Sequence, residues 1–226
     1  MQVGELWRYP VKSMAGERIA AAELGPRGIP NDRGLAAFEI GQGSKEKPLS
    51  ARDLAGLLKF RASLKTGVAQ VAGPELGPIS WAHESVARSI SRQCRRELEL
   101  RPVAGGAFDD SPILLVYLAT LAALSEEMGA PVDHRRFRAN LYLEEAGTVA
   151  HGESQLLGRQ IRCGGAVLEA TDPCPRCSIP TRDPDTWANW PQLLRHLVQT
   201  RDEVVGVYCK VTVPGPLAEG DAVEVL

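Results

Sequence analysis

Glycine and proline cut this chain into apolar runs that are too short for anything but brief strands and a few modest helices. The 226 residues hold 22 glycines and 16 prolines, spread from end to end. Turn-rich segments such as Gly25-Pro26-Arg27-Gly28 and Pro30-Asn31-Asp32-Arg33-Gly34 separate the apolar stretches, because glycine and proline supply the dihedrals that turns require. Residues 3–8, 19–24, 35–40, 98–103, 113–117, 140–144, 160–163, 167–170, 203–213 and 221–226 read as strands, with 60–64 and 69–72 as weaker ones. Ser50 and Asp53 read as the cap of a short helix bearing Leu54, Leu57 and Leu58. Residues 84–95 form a helix with Val86, Ile90 and Cys94 inward, and residues 120–128 another that stops at Gly129. A last helix begins at Pro191 and buries Leu194, Leu197 and Val198. This order is β-rich with isolated helices, and neither G-x-G-x-x-G nor G-x-x-x-x-G-K-[ST] occurs. The expected fold class is therefore α+β, mainly β, with a barrel-like sheet and several short helices rather than a βαβ fold.

Composition narrows the partners. Net charge is −2, with 44% hydrophobic and 24% charged residues, so no global field favours nucleic acid or an anionic membrane. No apolar stretch approaches the roughly 20 residues of a membrane helix, and the first residues, Met1-Gln2-Val3-Gly4-Glu5, carry no signal-peptide pattern. Five scattered cysteines do not make a disulfide framework and fit a reducing cytoplasm.

The chemistry-bearing segment is Asp172-Pro173-Cys174-Pro175-Arg176-Cys177, followed by Asp183-Pro184-Asp185. It sets two thiols beside a guanidinium, and an adjacent cation favours the thiolate, the reactive and metal-binding form. Taken alone, the Cys174-x-x-Cys177 spacing fits a structural zinc site, which needs two further ligands. It also fits a dithiol redox motif, which needs a helix start, or two unrelated loop cysteines. Cys94, Cys163 and Cys209 fall in helix or strand patterns and read as small core residues. Arg88, Arg92, Arg95 and Arg96 read as a solvated face. Among the histidines 83, 134, 151 and 196, His151 is the one weighed as a proton donor, against a surface-loop role. Trp187 and Trp190 read as packing residues.

Several motifs shift the balance by their order. Trp7-Arg8-Tyr9-Pro10-Val11-Lys12-Ser13-Met14, Asn31-Asp32-Arg33, Asp109-Asp110-Ser111-Pro112, Phe137-Arg138-Ala139-Asn140 and Cys174-Pro175-Arg176-Cys177 follow one another along nearly the whole chain. Together they resemble the MOSC family, with its N-terminal β-barrel region, and within it the mitochondrial amidoxime-reducing component and bacterial counterparts. The resemblance implies an N-terminal region over residues 1–96 and a MOSC domain over 97–226. It implies a molybdenum cofactor (Mo-molybdopterin) with Cys177 as metal ligand and catalytic residue. Lys12, Ser13 and Arg33 match positions that hold the cofactor's phosphate and pterin; Asp109, Ser111, Arg138, Asn140, Arg176 and Tyr208 match other pocket positions. The expected activity is reduction of small N-hydroxylated compounds (amidoximes, hydroxylamines, N-hydroxylated bases) by two-electron oxygen removal. Electrons would come from a separate donor protein, because no second redox motif is present. The alternative is a non-redox carrier that delivers the cofactor or sulfur. Relatives often carry an acidic stretch ending in tryptophan where this chain has His151-Gly152-Glu153-Ser154, and a small polar residue where it has Pro175.

Overall fold

The computed structural model describes residues 1–41, 47–144 and 152–226. In chain order these form strands β1 (Gln2–Arg8), β2 (Glu17–Arg18), β3 (Ala21–Leu24), β4 (Leu35–Glu39), β5 (Arg61–Lys65), β6 (Val68–Gly73) and β7 (Leu76–Ser80), then helix α1 (Glu84–Cys94). Strands β8 (Leu98–Pro102) and β9 (Ile113–Tyr117), helix α2 (Leu118–Met128), and strands β10 (Leu141–Glu144), β11 (Gln160–Cys163) and β12 (Ala166–Pro175) follow. Helix α3 (Pro191–Arg201) and strands β13 (Val204–Val213), β14 (Gly215–Ala218) and β15 (Val223–Val225) complete the chain. The fold is mainly β, of α+β class, as the turn spacing predicts. No helix among the described residues is long and apolar enough to cross a membrane.

The chain forms two compact units, each assembled from separate stretches: a larger one from residues 1–7, 18–30 and 110–226, and a smaller one from 8–17 and 31–109. The larger unit is built on an eight-stranded sheet in the order β15-β11-β12-β13-β9-β10-β1-β2, with β14 paired to β3. Strand β9, Ile-Leu-Leu-Val-Tyr, is buried at every position, as a continuous apolar run in a central strand should be. It pairs antiparallel with β13 and parallel with β10. Ile113, Leu115 and Tyr117 face a core shared with Leu141, Leu143, Leu168, Ala170, Val207 and Cys209. Each large aliphatic buried there contributes about 1.5–3 kcal/mol.

Helix α2 starts at Leu118 rather than near Thr120, because a distant residue caps it. The Tyr117 amide and the Thr120 hydroxyl both donate to the Glu153 carboxylate, at 2.9 Å each. Gly129 ends the helix in the left-handed conformation, as expected. Three sequence expectations need correction in this unit. The strand expected over residues 19–24 forms only as Ala21–Leu24 (β3), because the preceding β2 ends at Arg18. Helix α3 buries Leu193 and Leu197, while Val198 is half-exposed. The strand expected at 167–170 runs on to Pro175, so Cys174 lies in a strand, not a loop. The short β14 was not foreseen, since its Gly215-Pro216 reads as a turn.

In the smaller unit β4 pairs with β8, and β5, β6 and β7 form a three-stranded sheet. Met14, Leu57, Phe60, Val71, Val86, Ile90 and Leu98 are among its core, with Val86 and Ile90 one turn apart on α1. The Ser50–Asp53 segment is not a helix cap. Asp53 accepts from the Ser50 amide and hydroxyl to close a turn, and a 3-10 helix follows over Ala55–Lys59. Cys94 packs half-buried against this core, whereas Cys163 and Cys209 of the other unit are fully buried. Arg88, Arg92 and Arg96 meet Glu84, Glu75 and Glu39 on the surface; exposed pairs of this kind add little stability.

Candidate functional site

In the larger unit the thiol segment is shaped by the end of β12. Strand β11 pairs with β12 only as far as Glu169, so Pro173 and Pro175, which lack an N–H, fall where no neighbour on that side asks for one. On the other side β13 carries an extra residue opposite the Pro173–Pro175 stretch. Gly206 lies there with φ +83°, a glycine bulge of the kind that bends a strand and re-aims its partner. Just beyond, the Arg176 amide donates to the Glu203 carbonyl at 2.7 Å.

Arg176 is the hub. Its guanidinium is buried, 9% exposed, and donates from Nη1 to Cys174 Sγ at 2.8 Å and from Nη2 to the Phe137 carbonyl at 2.7 Å. It also lies over the Phe137 ring, 5.4 Å from the centroid. Its Nε has no hydrogen-bond partner among the described residues. Burial alone would pull this guanidinium down, but Cys174, Tyr208 and Cys177 around it outweigh that and hold it above its ordinary value. Cys174 is sealed at 1% exposure, while Cys177 is half-buried. All five cysteines are free thiols.

Around this hub a row of paired residues crosses the sheet. Trp7 on β1 bonds Asn140, Asn140 bonds Leu114 on β9, Leu114 pairs with Tyr208 on β13, and Tyr208 pairs with Asp172 on β12. Asn140 is committed to holding strands together: Oδ1 accepts from the Leu114 amide and Nδ2 donates to the Trp7 carbonyl, both at 3.2 Å. Asn140→Ala removes both buried bonds and is expected to cost about 2–4 kcal/mol, read from the midpoint of urea unfolding. Arg138 closes a 3-10 turn in the left-handed region, φ 57°, between the Phe137 carbonyl that binds Arg176 and Asn140. Ser111 Oγ lies 3.5 Å from Thr171 Oγ1, which donates to the Tyr208 carbonyl. Ser111, Arg138 and Asn140 thus precede β9 and β10, Arg176 and Cys177 follow β12, and Tyr208 lies within β13 opposite Leu114 and Asp172.

The smaller unit carries a compact charge cluster. Lys12 Nζ donates to the Ala107 carbonyl at 2.7 Å and pairs with Asp109, leaving one of its three donors. Arg52 reaches the same Asp109 oxygen at 3.1 Å. Burial would raise the Asp109 carboxyl, but Lys12, Arg52 and Arg33 hold it below its usual range. Arg33, in the left-handed region at φ 48°, pairs with Asp32 and lies over the Tyr9 ring at 4.9 Å. Burial lowers Arg33; Asp32 beside it reverses that and holds it above its ordinary value. Asp32 is buried and accepts from the Tyr9 amide at 2.6 Å. Ser13 is also left-handed, φ 68°, and its Oγ accepts from the Ala51 amide at 2.8 Å. Lys12, Arg33 and Arg52 outnumber Asp32 and Asp109, a surplus of positive charge suited to an anionic group.

Sequence reasoning missed Asp32, Arg52 and the Phe137 carbonyl. Asp32 had a signal, since an aspartate in an Asn-Asp turn commonly binds nearby backbone. A carbonyl has none. His151 lies outside the described residues. Among those described, no three His, Cys, Asp or Glu side chains cluster as a metal site made of protein alone.

Comparison with known proteins gives two family matches: the MOSC N-terminal beta barrel domain over residues 1–99 and the MOSC domain over residues 101–224. No curated protein matches. Among solved structures, the YUAD protein from Bacillus subtilis is 16% identical over 99% of this chain and 94% of its own, with a TM-score of 0.54, which shows a shared fold. YiiM from Geobacillus stearothermophilus is 22% identical with a TM-score of 0.41, and the match covers 51% of this chain and 54% of that protein. YiiM from Escherichia coli is 20% identical, covers 52% and 55%, and has a TM-score of 0.39. The chain thus spans about half the length of each YiiM protein.

Proposed function

Because this chain belongs to the MOSC domain family, we propose that it binds a molybdenum cofactor through Cys177 and reduces N-hydroxylated compounds. The observation that carries the reading is the half-buried Cys177 thiol next in the chain to Arg176, a buried guanidinium whose Nε has no partner among the described residues. An orphaned buried donor beside an accessible thiol fits a ligand that brings both a metal for the sulfur and an acceptor for the nitrogen. A single thiolate suits a metal that arrives with sulfur ligands of its own, since soft donors favour soft centres, and no protein-only metal cluster competes among the described residues.

In this reading each residue has a bounded task. Cys177 anchors the metal. Arg176 fixes the Phe137 carbonyl, and so the 137–140 segment, while offering Nε. Arg138, Ser111 and Tyr208 complete that wall, and Asn140 keeps its strands in register. Lys12, Ser13, Arg33 and Asp109 serve the anionic and pterin portions: Lys12 as a point charge, Arg33 as a fork. The bound cofactor supplies the two-electron redox chemistry. Reduction of an N–OH group consumes two electrons and two protons and releases water. The electrons come from a separate donor protein.

The test is benzamidoxime reduction by protein isolated from a molybdenum-competent host, with a chemical reductant as donor. Benzamidine formed at a rate proportional to molybdenum content supports the reading. Loaded protein without turnover overturns the reductase assignment, and if that protein activates an apo-molybdoenzyme on mixing, it is a cofactor carrier.

A further inference from the structure

The larger unit contains a cavity of about 640 Å³ that the molybdenum reading does not use. Its size is that of a small-molecule site. One wall is apolar: Pro173 of β12 and Val204, Val205 and Val207 of β13. Thr120, Glu153, Glu127, His196 and Arg201 also line it. Glu127 is already neutralised: its Oε2 is 2.7 Å from His196 Nε2 and paired with Arg201. Glu153 is not. It is 3% exposed, yet its described contacts are the neutral Tyr117 amide and Thr120 hydroxyl.

A buried carboxylate ordinarily has a cation beside it. Both oxygens of Glu153 act as acceptors at the N-terminus of α2, where negative charge is favoured. Each oxygen retains a further lone pair. We propose that this cavity binds a small organic cation with a planar guanidinium or amidinium head and an apolar body. The head presents two parallel N–H donors, the geometry that matches a carboxylate bidentately. The body lies along Pro173, Val205 and Val207. None of these residues belongs to the set assigned to the cofactor, so the site stands or falls apart from molybdenum.

Calorimetric titration of the full chain with phenylguanidine tests it, with phenylurea as the neutral isostere. Saturable binding of one phenylguanidine is expected, with phenylurea at least about tenfold weaker, one charge-assisted bond's worth of discrimination. Glu153→Gln keeps an acceptor for Tyr117 and a polar group for Thr120, so α2 stays capped while the charge is lost; it is expected to weaken phenylguanidine to the level of phenylurea. Thr200→Trp, at an exposed position that lines the cavity, leaves Glu153 itself unchanged and is expected to fill the space and abolish binding of both. Equal affinity for the two compounds, no saturable binding, or wild-type affinity in Thr200→Trp overturns the proposal.

Discussion

Cys177→Ala is expected to leave a folded protein stripped of molybdenum. Wild-type protein from a molybdenum-competent host is expected to carry close to one metal per chain by mass spectrometry, and the variant at least about tenfold less, because Cys177 is the proposed metal ligand. Cys177 is half-buried, so the substitution costs under about 1 kcal/mol and thermal unfolding moves little. Cys174→Ala is the contrast. That sulfur is sealed against Arg176, so the variant is expected to lose stability while retaining metal. If Cys177→Ala keeps its molybdenum, the anchor has been misassigned.

Gly206→Ala is expected to be strongly damaging to the larger unit. A Cβ there would stand 2.6 Å from the Leu115 carbonyl oxygen and 2.6 Å from Val116 Cγ2, at a φ of +83°. The backbone strain and the overpacking each cost about 1–3 kcal/mol. A total of about 3 kcal/mol lowers the melting temperature by roughly 6–12 °C in a chain of this size, measured by calorimetry. Because Gly206 forms the bulge opposite the Pro173–Pro175 stretch, the loss should be accompanied by faster alkylation of Cys174. A variant that melts like wild type, with Cys174 still shielded, would show that the bulge does not hold this strand end.

What the chain disclosed in advance depended on how local the cause was. Strand β9 and the stop at Gly129 were legible because an apolar β-branched run and a left-handed glycine are signals contained in a few residues. Strands β7 and β14 were not, because Gly77-Pro78 and Gly215-Pro216 carry turn chemistry that their sheet partners override. The extension of β12 to Pro175 was hidden for the same reason. The buried face of α3 was misassigned by one position, Leu193 in place of Leu194, since a short helix with leucines side by side leaves its phase to the surroundings. Arg176 beside two thiols was visible as a charge arrangement. Its grip on the Phe137 carbonyl, 39 residues away, was not. Glu153 is the extreme case: it caps a helix 36 residues upstream, and no local pattern announces that.

The alternation of the chain between its two units has a consequence for how the protein is made. Residues 8–17 and 31–109 complete the smaller unit before β9, the buried strand of the larger sheet, has left the ribosome. Strand β1 is made well before its partner β10, which begins at Leu141. At about 5–20 residues per second, β1 must wait roughly 7–30 s with the edge that meets β10 unsatisfied.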